Sequence, residues 1–194
     1  QFKDNKEVKK DIELLVSQIN RCSEILKKLT LNPTIEDNFI DSDLTIVDYV
    51  KEIIKSFQET SKKKFILNYD QNSNSFDISK SIEIIYGLRN FIGNANKFSE
   101  TKVFIKVISD TNFTEIIIED DGEGYPKDIL SKIGEPYVKS FKNSIRSKSG
   151  LGLGIFIGKT LLEKNYANLL CKNSETRSGA EVSIKWKNKD LLKL

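Results

Sequence analysis

Near the start of the chain the apolar positions run Val8, Ile12, Leu15, Ile19, Cys22, Leu26, Leu29, in alternating steps of four and three. That is a heptad seam on a helix, with charged residues such as Lys9, Lys10, Glu13, Arg21, Lys27 and Lys28 on the other faces. A narrow seam of this kind is better satisfied by partner helices in a bundle than by a helix lying on its own domain. Cys22, at a seam position, reads as a small buried apolar residue. Asn32-Pro33 ends the helix, because proline restricts its predecessor and lacks the N–H to continue the ladder. A domain boundary is therefore expected there, separating residues 1–33 from 34–194.

Beyond the boundary the periodicity changes repeatedly. Ile46, Val47, Val50, Ile53, Ile54 and Phe57 predict a helix capped by Ser42 or Asp43 and ending in the run Lys62-Lys63-Lys64. Phe65 to Tyr69 reads as a strand, and Asp70 to Ser75 as a polar loop. Ser79 or Ser81 then starts a helix with an apolar stripe of Leu88, Phe91, Ile92 and Ala95, while Asn90, Asn94 and Lys97 fall along another face. Two strands, Val103 to Ile108 and Thr114 to Glu119, are joined by Asp110-Thr111-Asn112 as a hairpin. A short helix follows Pro126, and the stretch from Gly134 to Ser149 has almost no periodicity. Such a connection is usually functional or mobile. Leu151 to Lys164 predicts a further helix, and Leu169 to Cys171 with Val182 to Trp186 predict closing strands around a turn at Ser178-Gly179. The order of elements predicts a mixed sheet with helices on one face, a two-layer α/β sandwich.

Composition narrows the chemistry. The 194 residues include no histidine, which removes Ser-His-Asp and Cys-His nucleophile pairs and histidine metal sites together. A net charge of +3 on a chain with 30% charged residues carries no nucleic-acid footprint. There is no apolar run near the length of a membrane span and no secretory leader, so a soluble chain is expected. Two cysteines without ligand-like spacing suit a reducing, cytoplasmic setting. The lack of methionine and the start at Gln1 lead to the expectation of a piece of a longer protein.

Three stretches remain that can hold a nucleotide. Amides at Asn90 and Asn94, beside a core-facing stripe, need either solvent or a ligand. Asp120, at a strand end, can accept from the exocyclic amine of adenine, and Gly122 and Gly124 let the backbone approach the base. Alone, this D-x-G-x-G pattern is also common in ordinary hairpin turns. Gly150-Leu151-Gly152-Leu153-Gly154 alternates glycine with leucine and opens a helix, whose amides and positive end suit a polyphosphate. Asn94 can lend its oxygen to a magnesium ion, Asn90 can reach the same ion or its waters, and Lys97 can neutralise phosphate charge. Phe98 can wall the base pocket or belong to the core. Lys139, Lys142 and Arg146 can fold onto the γ-phosphate. Gly158-Lys159-Thr160 looks like the end of a Walker A loop, but its first glycine would fall at Leu153, so the segment reads as helix.

These residues resemble the ATP-binding catalytic domain of bacterial sensor histidine kinases, within the gyrase, Hsp90, histidine kinase and MutL (GHKL) superfamily. The asparagine helix is similar to its N box, Asp120-x-Gly122-x-Gly124 to its first glycine box and Gly150-x-Gly152-Leu153-Gly154 to its second. The Gly134-Glu135-Pro136-Tyr137 stretch and the segment from Gly150 to Lys164 most resemble the redox-responsive RegB/PrrB type. The resemblance implies the Bergerat (GHKL) fold, with ATP and Mg2+ as cofactors. It implies that Asn94 coordinates magnesium, Asp120 holds adenine and Lys97 contacts phosphate. Tyr137 and Lys139 would belong to the ATP site, and residues from about 127 to 149 would form a lid. Residues 1–33 would be the second helix of a dimerisation and phosphotransfer bundle, whose phosphoacceptor histidine lies upstream. A homodimer, a response regulator as partner and a membrane-anchored parent protein are implied as well. Arg21-Cys22 matches an Arg-Cys pair holding a redox-active cysteine in the RegB type. At a seam position in a two-fold dimer, Cys22 of each chain could approach closely enough for a disulfide.

Two rival functions stand beside this one. Gyrase- and Hsp90-type ATPases carry a water-activating glutamate one turn before the magnesium asparagine, where this chain has Asn90; Glu83 lies eleven residues from Asn94, roughly 16 Å along the axis. The other rival is a dimerising scaffold with a degenerate nucleotide site.

Overall fold

A computed structural model describes Val16 and residues 44–70, 77–78, 81–138 and 152–191. The chain divides into two compact units, 1–42 and 43–194. Within the first, Val16 is helical and half exposed, in keeping with its place off the heptad seam. The seam itself, Cys22 included, lies outside the described residues, as does the polar loop after Asp70.

The second unit opens with β1 (Leu44–Thr45), paired with β3 (Asp77–Ile78), a contact between two short segments that no periodicity announces. Helix α1 (Ile46–Gln58) is capped by Thr45 and not by Ser42 or Asp43. The Thr45 hydroxyl accepts the Asp48 N–H at 3.3 Å, and the Asp48 carboxylate accepts the Thr45 N–H at 3.2 Å, a closed capping box. The helix ends at Gln58, before the lysine run, whose last member already belongs to β2 (Lys64–Tyr69). Of the two serine candidates, Ser81 caps α2 (Ile82–Phe98). A parallel pairing of β2 with β4 (Lys102–Ser109) requires a crossover, and α2 supplies it. Strand β5 (Phe113–Asp120) returns antiparallel through the expected hairpin, where the Asp110 carboxylate accepts the Asn112 and Phe113 N–H groups at 2.7 and 2.8 Å.

Pro126 precedes the single turn α3 (Lys127–Leu130). Helix α4 (Gly154–Lys164) starts at the last glycine of the second glycine turn, three residues later than the apolar pattern implied. The strands β6 (Asn168–Asn173) and β7 (Ala180–Lys187) and the short α5 (Asn188–Leu191) close the chain. The five-stranded sheet has the order β2-β4-β5-β7-β6, parallel at β2/β4 and antiparallel elsewhere.

Alternation along the strands separates the two layers. Val103, Ile105 and Val107 of β4, Ile116 and Ile118 of β5, and Val182, Ile184 and Trp186 of β7 are buried. Against them pack the buried Val50, Ile53 and Ile54 of α1 and Leu88, Phe91 and Ile92 of α2. Partly open positions on the other face carry ion pairs such as Lys172–Glu181 at 3.3 Å. This is the two-layer α/β sandwich that the element order predicts. The same period-two rule puts Asp120 on the inner face, two residues beyond Ile118. A carboxylate is thereby carried into the core layer by strand parity.

Candidate functional site

Helices α2 and α4 cross antiparallel along a line of glycines. A Cβ on Gly87 would meet Leu162 Cγ at 2.5 Å, and one on Gly158 would meet Asn90 Cβ and Phe91 Cε2 at 3.0 Å. One turn further, a Cβ on Gly154 would lie 3.5 Å from Asn90 Oδ1 and 3.6 Å from Asn94 Nδ2. The absence of side chains at these steps lets the backbones approach, and the approach carries the first turn of α4 onto the two asparagines. Leu153, at the N-cap, makes no side-chain capping bond. The opening amides of α4 therefore have no partner within the helix and none from the cap, and the dipole leaves positive charge beside Asn90 and Asn94.

The asparagines differ. Asn90 Nδ2 donates to the Tyr86 carbonyl at 2.9 Å, which fixes its oxygen toward α4. Asn94 Nδ2 is buried and has no hydrogen-bond partner among the described residues. An unpaired buried amide costs roughly 1–3 kcal/mol, and this one sits at a bare helix end. Lys97 and Phe98 lie at the solvent-facing end of α2, with the Lys97 ammonium 5.0 Å from the Phe98 ring centre. Phe98 is 58% exposed, so of its two expected roles the core is excluded.

The first glycine turn leaves β5 directly beneath the end of α2. Asp120 is 3% exposed. Its Oδ1 accepts the Gly122 N–H at 2.9 Å and the Ala180 N–H at 3.3 Å. Burial pushes its carboxyl above the ordinary carboxylate range, against those two bonds. Gly122 has no room for a side chain because a Cβ would come 2.3 Å from the Phe98 carbonyl. That contact ties the turn to α2 one helical turn beyond Asn94, about 6 Å along the axis. Asp121, its neighbour, turns outward and accepts the Glu100, Thr101 and Lys102 N–H groups at 2.8 to 3.0 Å and the Thr101 hydroxyl at 2.5 Å. Burial opposes its charge, but these bonds prevail and hold it at about 2. One acid of the pair thus anchors the turn from α2 into β4, and the other is buried within the first glycine turn.

Gly124 takes φ +74°, which disfavours a side chain. Gly152 takes φ +71°, and a Cβ there would come 2.5 Å from the Val138 carbonyl. The chain that leads out of α3 through Tyr137 therefore passes directly over the second glycine turn. Tyr137 itself is strongly exposed. Lys139, Lys142, Arg146, Gly150 and Leu151 lie outside the described residues. Of the remaining candidates, Asn90, Asn94 and Gly154 meet around the head of α4, with Gly152 and Leu153 leading into it. Asp120 and Gly122 meet at the end of α2, beside Phe98 and Lys97.

Several contributors escaped the sequence reading. Gly87 and Gly158 set the helix separation, and in the sequence Gly158 stands out only within the Gly158-Lys159-Thr160 stretch. Its spacing of four from Gly154 was the available signal. Gly179, read only as a turn residue, leaves space for Asp120, since a Cβ there would come 2.4 Å from Oδ1. The Ala180 N–H that orients Asp120 is backbone, and no residue type betrays it. No group of three or more histidine, cysteine, aspartate or glutamate side chains suited to a metal ion occurs among the described residues, so an ion here would depend on amide oxygens and on its ligand. No described helix is long and apolar enough to cross a membrane.

Comparison with known proteins identifies the family and the fold. The chain is 31% identical over 195 residues to the sensor histidine kinase RegB of Cereibacter sphaeroides, an alignment covering 91% of this chain and 42% of that protein. It is 27% identical to a putative sensor histidine kinase of the NtrY-like type from Rickettsia typhi, covering 98% of this chain and 31% of the relative. The chain thus spans less than half the length of these relatives. Among solved structures, the mycobacterial sensor histidine kinase MprB has the same fold, with a TM-score of 0.64 at 20% identity over 74% of this chain and 96% of that one. Full-length ShkA, solved in complex with AMPPNP, has a TM-score of 0.60 at 21% identity, over 75% of this chain and 30% of that one. The sequence pattern of the histidine kinase-, DNA gyrase B- and HSP90-like ATPases matches residues 79–190. With the two glycine turns and the asparagine helix all inside that span, the chain belongs to this family of ATPase-fold proteins.

Proposed function

We propose that the chain is the catalytic part of a two-component sensor histidine kinase. It would bind Mg-ATP and pass the γ-phosphoryl group to a histidine outside this sequence, for relay to a response-regulator aspartate. The observation that carries the reading is the buried amide of Asn94, without a partner among the described residues, beside the head of α4, whose N-cap makes no side-chain bond. A half-turn about χ2 exchanges its oxygen for its nitrogen in the same space, and that oxygen suits a hard cation that keeps most of its waters. Magnesium, when bound, would neutralise phosphate charge. Asn94 would hold the ion and Asn90 would orient its waters, while the amides of Gly150 to Gly154 receive the phosphates. Asp120, with Oδ1 occupied by backbone donors, would offer Oδ2 to the adenine amine. Gly122 and Gly124 would border the base, Phe98 and Tyr137 would flank it, and Lys97 and Lys139 would meet phosphate oxygens. Residues from about 127 to 149 would act as the lid.

The capture of AMPPNP by ShkA supports a nucleotide in this fold. An amide at Asn90, with its donor committed to the Tyr86 carbonyl, supports transfer over hydrolysis, because no carboxylate is available there to activate water. Catalysis would then rest on positioning and charge stabilisation. Residues 1–33 would form the second helix of a dimerisation bundle, giving a homodimer, and the parent protein would be membrane-anchored with its kinase region in the cytoplasm. Redox control through Cys22 remains part of this proposal on the Arg21-Cys22 resemblance alone.

Titration of the chain with a fluorescent ATP analogue, with and without magnesium, tests the site. Saturable, magnesium-dependent binding that is lost in Asn94→Ala and Asp120→Ala is the expected result. No binding, or binding indifferent to both substitutions, would sink the reading and leave a dimerising scaffold.

A further inference from the structure

The first glycine turn is held from a side that neither glycine motif names. Asn173 is the last residue of β6, opposite Ala180 of β7 in the ladder. Its side-chain amide faces the backbone of Tyr125 at the exit of the turn. Asn173 Oδ1 accepts the Tyr125 N–H at 2.6 Å, and Asn173 Nδ2 donates to the Tyr125 carbonyl at 3.0 Å. Both polar groups of one peptide residue are thus met by one side chain, as a neighbouring strand would meet them. Between the two ends of the turn sits Gly124, whose φ of +74° and lack of a side chain make this contact possible. A Cβ there would come 2.7 Å from Asn173 Oδ1.

The partner of Asn173 in the ladder completes the arrangement. The Ala180 N–H reaches Asp120 at the entrance of the turn. The turn end of the β6/β7 hairpin therefore grips residues 120–125 at both ends, through a main-chain donor at Asp120 and a side-chain amide at Tyr125. The grip lies on the side of the turn away from α2, which touches it at Gly122. Tyr125 is half-buried, and desolvation of its phenol pushes the group far above the ordinary range. Once its backbone is fixed, Tyr125 sets where Pro126 and α3 depart.

We propose that Asn173 is a positioning residue for the nucleotide: it holds the Gly122–Tyr125 backbone at the distance from Asp120 that an adenine requires. The proposal rests on the nucleotide reading above. It assigns no contact between Asn173 and the ligand, and its effect passes entirely through the turn. Discrimination of adenine from guanine follows from the same rigidity. A carboxylate and a backbone in fixed register reject a base whose donor and acceptor are exchanged, whereas a slack turn can adapt.

The test compares wild type, Asn173→Ala and Asn173→Asp, all as the full 194-residue chain. Equilibrium titration with ATP and with GTP is paired with amide hydrogen exchange over residues 121–126 and with the melting temperature of the free chain. For Asn173→Ala we expect ATP affinity to fall about tenfold, as loss of this hydrogen-bonded clamp implies. GTP affinity should change less, so that the preference narrows, and exchange should quicken at Gly122 to Tyr125 while the melting temperature holds within a few degrees. Asn173→Asp keeps the acceptor for the Tyr125 N–H and loses the donor, and should fall between. Unchanged ATP affinity and exchange in Asn173→Ala, with wild type binding normally, overturns the clamp. An equal loss of ATP and GTP affinity together with a large fall in melting temperature also overturns it, since that marks a purely structural residue. If wild type binds no ATP, the nucleotide reading fails and the assigned role fails with it, a result the wild-type titration alone identifies.

Discussion

The crossing of α2 and α4 gives the sharpest quantitative test, because a single methyl group decides it. A Cβ on Gly87 would lie 2.5, 2.7 and 3.2 Å from Leu162 Cγ, Cδ2 and Cδ1, well inside contact distance. Leu162 is fully buried and has nowhere to swing. Gly87→Ala therefore sets two effects against each other. Replacing glycine within a helix is worth up to ~1 kcal/mol in propensity. Overpacking a filled core costs about 1–3 kcal/mol, which should win and leave a net loss of ~1–2 kcal/mol. Leu162→Ala alone should cost about 2–5 kcal/mol through lost burial and a cavity. The double variant is the decisive one, because truncating Leu162 vacates the positions the new methyl group invades. It should be no less stable than Leu162→Ala, giving a favourable coupling of about 1–3 kcal/mol. Denaturant unfolding followed by far-ultraviolet circular dichroism measures all four corners, with unchanged m-values as the control for an unaltered denatured state. Costs that add within about 0.5 kcal/mol would refute the close crossing, and with it the account of how α4 is delivered to Asn90 and Asn94.

Two further predictions concern the paired acids. Asp120→Asn should abolish binding of the ATP analogue, by at least about a hundredfold, since a donor would then face the adenine amine. It should leave the melting temperature at neutral pH equal or higher, because burial already penalises the ionised form. For wild type, affinity should decline as pH is lowered through the raised pKa of Asp120, which needs its charge to accept; affinity flat down to the ordinary carboxylate range would contradict this. Asp121 behaves in the opposite sense. Its pKa is depressed from 3.8 to about 2, so its stabilisation is fully present above pH 3.8 and is lost as pH falls toward 2. Asp121→Asn should therefore be less stable than wild type at pH 5 by about 1 kcal/mol, after allowance for solvent screening. The gap should shrink to a small remainder as pH falls to 2, and a gap as large there as at pH 5 would show that charge is not the cause.

Much of the fold was legible in the chain because period and punctuation are local. The strand from Val103 to Ile108, the Asp110 turn, the stripe through Leu88 and Ala95 and a serine cap at Ser79 or Ser81, realised at Ser81, each depend on a few neighbouring residues, and each proved correct. Errors fell at element ends, where local signals compete. Thr45 displaced Ser42 and Asp43 because only it has an aspartate three residues on to close a capping box. The lysine run failed to stop α1 because Lys64 had a strand to join, and Lys64 N–H donates to the Thr101 carbonyl at 2.9 Å.

The candidate residues could be named from sequence, since amides, one carboxylate and glycine turns are chemically distinctive types. By itself the sequence determined the residue types available, the period of each element and the exclusion of histidine chemistry. Tertiary structure decided which of them meet. Strand parity alone turned Asp120 inward and left Asp121 to anchor a turn. The distance between Asn94 and the head of α4 depends on Gly87 and Gly158, residues whose contribution is the space they leave empty. Asn173 and Ala180 act through hydrogen bonds to backbone across the β6/β7 hairpin, which no side-chain pattern records. Such relations depend on long-range approach of backbones, and a one-dimensional pattern carries only the short-range part of that information.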